Sequence, residues 1–93
     1  MGTFHDDLGE LHGITIVVET HGDLTFIGRC HEENDVHVVL HDVDVHDAAQ
    51  EGPTREEYLA RAAKFGVFVK HPTVVVPREE VASIRRLGEL ARG

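Results

Sequence analysis

The sequence lacks the features that mark several common classes of protein. It contains a single cysteine, Cys30, which excludes an internal disulfide bond and leads us to expect a reducing, cytoplasmic location. Its apolar runs are short, whereas a membrane-spanning helix needs about 20 apolar residues, so no membrane association is expected. The opening residues, MGTFHDD, contain no basic region followed by an apolar stretch, so no secretory signal is expected either.

Motifs that carry catalytic or metal-binding chemistry are also missing. The sequence has no Gly-x-Ser-x-Gly, phosphate-binding loop or dinucleotide fingerprint, and no Cys-x-x-Cys, His-Glu-x-x-His or EF-hand loop. Asp42, Asp44 and His46 share one face of a predicted strand and are candidate ligands for a divalent ion, but a solvated acidic strand end is the interpretation that we favour. We therefore predict no catalytic residues, no metal, no cofactor and no enzymatic activity.

Charge of one sign dominates the chain. The formal net charge is −8 at pH 7, and eight histidines would bring the chain near neutrality if all were protonated. Solubility is therefore expected to fall near pH 5–6, since histidine titrates at about pH 6.5. At neutral pH the negative field repels polyanions, which disfavours broad, sequence-independent binding of nucleic acid.

The apolar pattern predicts one mainly β domain over residues 1–93. Strands are expected over 14–20, 24–32 and 36–46, separated by the turns His21–Asp23 and 33–34. Gly28, inside the second strand, indicates sharp curvature or close backbone approach. The third strand changes its buried face halfway along, which predicts a bend or bulge.

Two helices are predicted outside these strands. Phe4, Leu8 and Leu11 have helical spacing, so a short N-terminal helix is expected over residues 4–12. Thr54 and Glu57 form a capping box that begins a helix over 54–65, inside a long insertion at 47–65. Gly66 follows at the position of a C-terminal cap.

The rest of the sequence fits more than one arrangement of strands and helices. Residues 67–77 predict two strands, or one long strand interrupted at His71-Pro72. The tail after residue 77 has apolar residues at steps of three and fits a helix. It also fits a tight turn over residues 77–80 followed by a closing strand over 81–87, which is the interpretation that we favour.

The segment GDLTFIGRCHEENDVHVVLHDV resembles the first motif of the Sm/Lsm family, which includes bacterial Hfq. The matching positions, over about a quarter of the chain, are Gly22, Phe26, Gly28, Asp35, Leu40 and Asp42. The resemblance implies a five-stranded, strongly bent SH3-like (Sm-like) barrel, with an N-terminal helix and a helix in the long loop between the third and fourth strands. It also implies that subunits pair their strand edges into a homo-oligomeric ring.

The second motif of that family fits this sequence in two registers. In one, Lys70 and His71 resemble the Lys-His of Hfq, would line a central pore and would contact RNA. In the other, which we favour, the motif ends over 76–84. Pro77 and Arg78 then replace the usual Arg-Gly and Glu80 replaces an asparagine, so much of the RNA-contacting chemistry is absent.

The resemblance leaves two functions open. The first is a ring that binds single-stranded RNA through His37, Lys70 and His71, where His37 occupies the family's asparagine or base-stacking position. The second is an oligomeric scaffold or protein-interaction module of the same fold that does not bind RNA. The first-motif match and the Lys-His pair favour RNA binding, whereas the acidic balance and the missing Arg-Gly favour the scaffold.

Overall fold

The protein folds into one antiparallel sheet of five strands with two short helices. The structure, a computed structural model, describes residues 13–92, and side chains as far as residue 90. The strands are hydrogen-bonded in the order β4-β3-β2-β1-β5. Their bounds are β1 Thr15–Thr20, β2 Leu24–Glu33, β3 His37–Asp47, β4 His71–Pro77 and β5 Val81–Arg86. The helices are α1 Arg55–Phe65 and α2 Leu87–Arg92.

The long strands β2 and β3 bend where the sequence predicts it. Their pairing shifts register between Ile27 and Arg29. Asp42 has a φ angle of 54°, a left-handed conformation that is uncommon outside glycine. Beyond this point the buried face of β3 changes, as predicted from its polar pattern. Gly28 makes the close approach possible, because a Cβ atom there would lie 3.0 Å from the backbone oxygen of His41.

Helix α1 begins as its sequence predicts. The Thr54 hydroxyl accepts a hydrogen bond from the Glu57 amide at 3.1 Å, and the Glu57 carboxylate accepts one from the Thr54 amide at 2.9 Å. Both bonds satisfy amide groups that a helix leaves unpaired at its N-terminus. Gly66 ends the helix with a φ angle of 97°, and its amide donates to the carbonyl oxygen of Ala62.

The tail of the chain contains both of the structures that its sequence allows. A 3-10 turn, Arg78–Glu80, follows β4 and leads into β5, as the favoured alternative predicts. Helix α2 then completes the chain, so the apolar spacing of three belongs to a helix only from Leu87 onward. The strand predicted before His71 is not formed: residues 66–70 are irregular, and β4 begins at His71.

The core lies on both faces of the bent sheet. Inside the bend, β1, β3 and β4 contribute fully buried side chains such as Ile16, Leu40 and Val76. On the outer face, Val17 and Ile27 pack against Leu59 and Ala62 of α1. Burial of an aliphatic side chain of this size stabilises the fold by about 1.5–3 kcal/mol, so α1 is fixed firmly against β1 and β2.

Two expectations about the architecture are not confirmed. The sheet is not a closed barrel: β4 and β5 are consecutive strands, but the turn between them carries the chain from one sheet edge to the other, and they do not pair. The predicted N-terminal helix over 4–12 lies outside the described residues. Among the helices that are described, none has the length and apolar content needed to cross a bilayer.

Candidate functional site

Two turns meet at one end of the β3–β4 pair. The β2–β3 turn (34–36) and the 3-10 turn Arg78–Glu80 are joined by a 2.9 Å hydrogen bond from the Arg78 amide to the carbonyl oxygen of Val36. We call these two turns the turn cluster. Asn34 shapes its first half, since its side-chain oxygen accepts hydrogen bonds from the amides of Val36 and His37 at 2.8 and 2.9 Å. Such bonds are the reason that asparagine favours tight turns.

His37 lies beside the turn cluster at the start of β3. Its imidazole side chain is one third exposed, and Nε2 lies 3.5 Å from the Glu32 carboxylate. The Asn34 amide nitrogen donates to the same carboxylate at 2.7 Å. The ring therefore has a solvent-facing part that can contact a ligand, while its neighbours restrict its orientation.

The turn cluster is predominantly acidic. Arg78 Nη1 lies 2.6 Å from the Glu33 carboxylate, so its charge is already compensated. Asp35, Glu79 and Glu80 are exposed and have no ion-pair partner within residues 13–92. A polyanion that approaches this surface meets repulsion that few nearby cations offset.

The other predicted contact residues, Lys70 and His71, lie at the opposite end of the β3–β4 pair. His37 pairs with Pro77, whereas His71 pairs with Val43. Six residue steps along β3 correspond to about 20 Å at roughly 3.3 Å per residue. Within one chain the three residues do not form a single site, and their joint action stays a prediction for an assembled oligomer.

Lys70 is engaged by a buried carboxylate. Its Nζ lies 2.9 Å from Asp44 Oδ1 and also donates to the carbonyl oxygen of Val45 at 3.2 Å. Asp44 is only 4% exposed, so Lys70 supplies the counter-charge that a buried carboxylate requires. His71, at the start of β4, is exposed.

A groove that sequence reasoning missed opens beside this ion pair. Its volume is about 430 Å³, and it lies between α1 and the irregular segment that follows it. We call it the α1 groove; its lining residues are Asp44, Pro53, Tyr58, Arg61, Ala62, Phe65, Gly66, Phe68 and Lys70. The helical spacing of Tyr58, Ala62 and Phe65 is the signal that the sequence offers here; it predicts a face packed on the core, whereas Phe65 is 75% exposed.

Tyr58 and Cys30 have perturbed acidities. Burial raises the pKa of the Tyr58 hydroxyl, and the negative charge of Asp44 raises it further. Burial likewise raises the pKa of the Cys30 thiol, with a smaller contribution from the charge of Glu33. A buried thiol with a raised pKa is a poor nucleophile, because the thiolate is the reactive form.

The bend in β3 leaves Asp42 exposed, whereas Asp44 and His46 are buried, so the solvated acidic strand end predicted for these three residues is wrong. Asp42 pairs with Arg29, Asp44 pairs with Lys70, and His46 Nε2 lies 2.8 Å from the carbonyl oxygen of Pro53. Within residues 13–92, no three histidine, cysteine or acidic side chains are grouped as a metal site requires. Each candidate instead has a structural partner of its own.

Comparison with known proteins identifies the fold. The sequence matches no protein family and no curated protein. The structure is similar to the Sm protein of Pyrococcus abyssii in complex with a uridine heptamer, with a TM-score of 0.58 and 18% identity over 88% of this chain and 94% of that chain. It is also similar to a chain of the NatC complex bound to Gag peptide and CoA, with a TM-score of 0.56 and 18% identity over 84% of this chain and 87% of that one.

A second structure of the NatC complex, bound to CoA, gives the same result. The TM-score is 0.59 at 16% identity, over 91% of this chain and 90% of that chain. Identities this low establish the fold and nothing further. The chain has an Sm-like fold.

Proposed function

From the Sm-like fold we propose that this protein forms a homo-oligomeric ring that binds single-stranded RNA. The observation that carries the proposal is the structural likeness, over most of both chains, to an Sm protein in complex with a uridine heptamer. We propose no catalytic role for the protein. The buried, unpaired thiol of Cys30 is compatible with the reducing cytoplasm where we expect the ring to act.

The two strand edges provide the surfaces for assembly. Among residues 13–92, β4 and β5 are the outer strands of the sheet, and each has one edge that no other strand pairs with. Pairing of β4 in one copy with β5 in the next uses two different surfaces, so the contact can repeat from copy to copy; the proposal is that its rotation closes into a ring. Val75 on β4 is 56% exposed and would be covered by this contact.

RNA is proposed to contact the protein through His37, Lys70 and His71. His37 offers an imidazole face for base stacking beside the turn cluster, and single-stranded bases stack on such rings with little sequence preference. At the other end of the β3–β4 pair, Lys70 offers a cation that already pairs with Asp44, and His71 offers a second imidazole. The carboxylates of the turn cluster oppose binding, so the affinity is expected to be modest.

Native mass spectrometry and RNA binding test the two parts of the proposal separately. We expect an oligomer several times the 10.3 kDa subunit mass, and binding of a fluorescent uridine heptamer measured by anisotropy. His37→Ala and the double variant Lys70→Ala/His71→Ala should each weaken RNA binding without changing the oligomer mass. His21→Ala, in the exposed β1–β2 turn, is the matched control.

The outcomes discriminate between RNA binding and its main alternative. A bare monomer contradicts the ring. An oligomer that carries no nucleic acid and does not bind the heptamer favours a scaffold or protein-interaction module. The acidic turn cluster and the likeness to chains of the NatC complex support this alternative. Unchanged RNA affinity in both His37→Ala and Lys70→Ala/His71→Ala would refute the assignment of the contact residues.

A further inference from the structure

The α1 groove has the size and shape of a binding site, and no side chain of the described residues fills it. One wall is the face of α1 that carries Tyr58, Ala62 and Phe65, and the other is formed by Phe68. Its volume of about 430 Å³ falls within the range of small-ligand and side-chain pockets, about 300–1,000 Å³. The groove lies away from the turn cluster and from the RNA contact proposed at His37, but Lys70, the second proposed RNA contact, is one of its lining residues.

Large apolar side chains at the groove point into solvent. Phe65 is 75% exposed, Phe68 is 79% exposed and Val69 is 56% exposed. Single exposed apolar residues are common, but here three occur within five residues, and two of them, Phe65 and Phe68, line the groove. Aromatic residues in such a position are enriched at protein interfaces, where they supply much of the binding energy.

Uncompensated positive charge borders the same patch. Arg61 lines the groove and is exposed, and Lys64 lies 5.4 Å above the ring of Phe65. In the part of the chain that the structure describes, neither cation pairs with a carboxylate. Asp44, the one acidic residue of the groove, is neutralised by Lys70. The net charge of the chain is −8, so this rim differs in sign from the protein as a whole.

We propose that the α1 groove binds a short acidic segment of a partner protein that carries a large apolar side chain. The apolar side chain would fill the groove against Tyr58 and Phe68, and neighbouring carboxylates would pair with Arg61 and Lys64. A short acidic peptide suits the groove better than RNA does, because only two uncompensated cations face a continuous polyanion in an otherwise negative field.

The composition of the chain supplies a direct probe of this site. Tyr58 is the only tyrosine and there is no tryptophan, so intrinsic tyrosine fluorescence reports on the α1 groove alone. The ligand to titrate is a blocked peptide, Asp-Glu-Phe-Leu-Asp-Glu, which contains neither fluorophore. The control peptide, Asn-Gln-Phe-Leu-Asn-Gln, has the same apolar residues without the charge.

We expect the acidic peptide to change the fluorescence of Tyr58 and to bind about tenfold more tightly than the neutral peptide, a difference that shrinks as salt is raised. Arg61→Glu should remove the preference for the acidic peptide, and Phe68→Ser should weaken both peptides. Leu24→Ser, which changes an apolar residue that is 39% exposed and lies outside the groove, should bind both peptides as the unmodified protein does. Circular dichroism checks that each variant folds.

Three results would overturn the inference. Equal binding of the two peptides, or no binding of either, contradicts the proposal that the groove binds an acidic segment. A response of Tyr58 to the uridine heptamer that Arg61→Glu abolishes makes the groove a nucleic-acid site. A smaller oligomer in Phe68→Ser makes it a contact between copies of this chain. The peptide titrations do not depend on whether His37 contacts RNA, so the acidic-partner proposal can fail while RNA binding at His37 holds, and the reverse. Lys70 is the residue that the two proposals share.

Discussion

Gly28→Ala tests the close packing that bends β2 over β3. A Cβ atom at position 28 would lie 3.0 Å from the backbone oxygen of His41 and 3.0 Å from Cγ2 of Val43. Ordinary carbon contacts are optimal at about 3.5–4.0 Å. The oxygen belongs to the backbone and Val43 is fully buried, so neither neighbour can move aside without a shift of β3.

The expected cost follows from that overlap. Insertion of a methyl group into a well-packed interior destabilises a protein by about 1–3 kcal/mol. For a domain of this size each kcal/mol lowers Tm by roughly 4–8 °C, so Gly28→Ala should melt well below the unmodified protein. Thermal unfolding followed by circular dichroism measures this, with urea unfolding as a second determination of the free energy.

Gly22→Ala is the matched control. Gly22 lies in the exposed β1–β2 turn, and a Cβ atom there would meet no other atom within 4 Å. Its Tm should stay within a few degrees of the unmodified protein, since exposed substitutions usually change stability by less than about 0.5 kcal/mol. If the two alanine variants unfold at the same temperature, the close approach at Gly28 does not constrain the fold.

The ion pair and the tyrosine of the α1 groove give two further predictions. Lys70→Met should lower the free energy of unfolding by about 1–3 kcal/mol, because the buried Asp44 carboxylate loses its cation; urea unfolding measures it, and Lys64→Met, which breaks no ion pair, should have little effect. The raised pKa of Tyr58 means that the folded state holds its proton more tightly than the unfolded state does. This stabilisation is present below the unfolded-state pKa of about 10 and is lost as the pH rises above it. Absorbance at the tyrosinate band should therefore appear only as the protein unfolds in alkali, and titration of the native protein near pH 10 would refute the burial argument.

Sequence patterns predicted those elements of the fold that depend on interactions between residues close together in the sequence. The capping box at Thr54 fixes the start of α1 through two hydrogen bonds within four residues, so no tertiary information is needed. The bend of β3 was predicted because alternation of buried and exposed side chains must fail where a strand turns. The helix after β5 was only half predicted, since the same apolar spacing fits a strand and a helix in a short segment.

The arrangement of the candidate contact residues depends on strand register, which the sequence pattern does not reveal. Val38, Leu40 and Val76 predict strands whose buried faces meet, but not which residues pair across them. Because β3 and β4 are antiparallel and His37 pairs with Pro77, Lys70 necessarily falls at the far end. The α1 groove was missed for a related reason: helical spacing predicts a packed face, and only the tertiary structure shows that Phe65 is exposed and lines a groove.

The two ends of the β3–β4 pair carry opposite charge, and this decides how the proposed functions relate to each other. The turn cluster presents exposed carboxylates, whereas the α1 groove presents Arg61 and Lys64. At physiological salt the Debye length is about 8 Å, well below the roughly 20 Å between the ends, so the charges at one end have little effect on a ligand group bound at the other. Added salt should weaken an acidic peptide at the groove by screening attraction. At the turn cluster it also screens the repulsion of RNA by Asp35 and Glu79, which makes the salt dependence there shallower than the number of RNA phosphates would suggest.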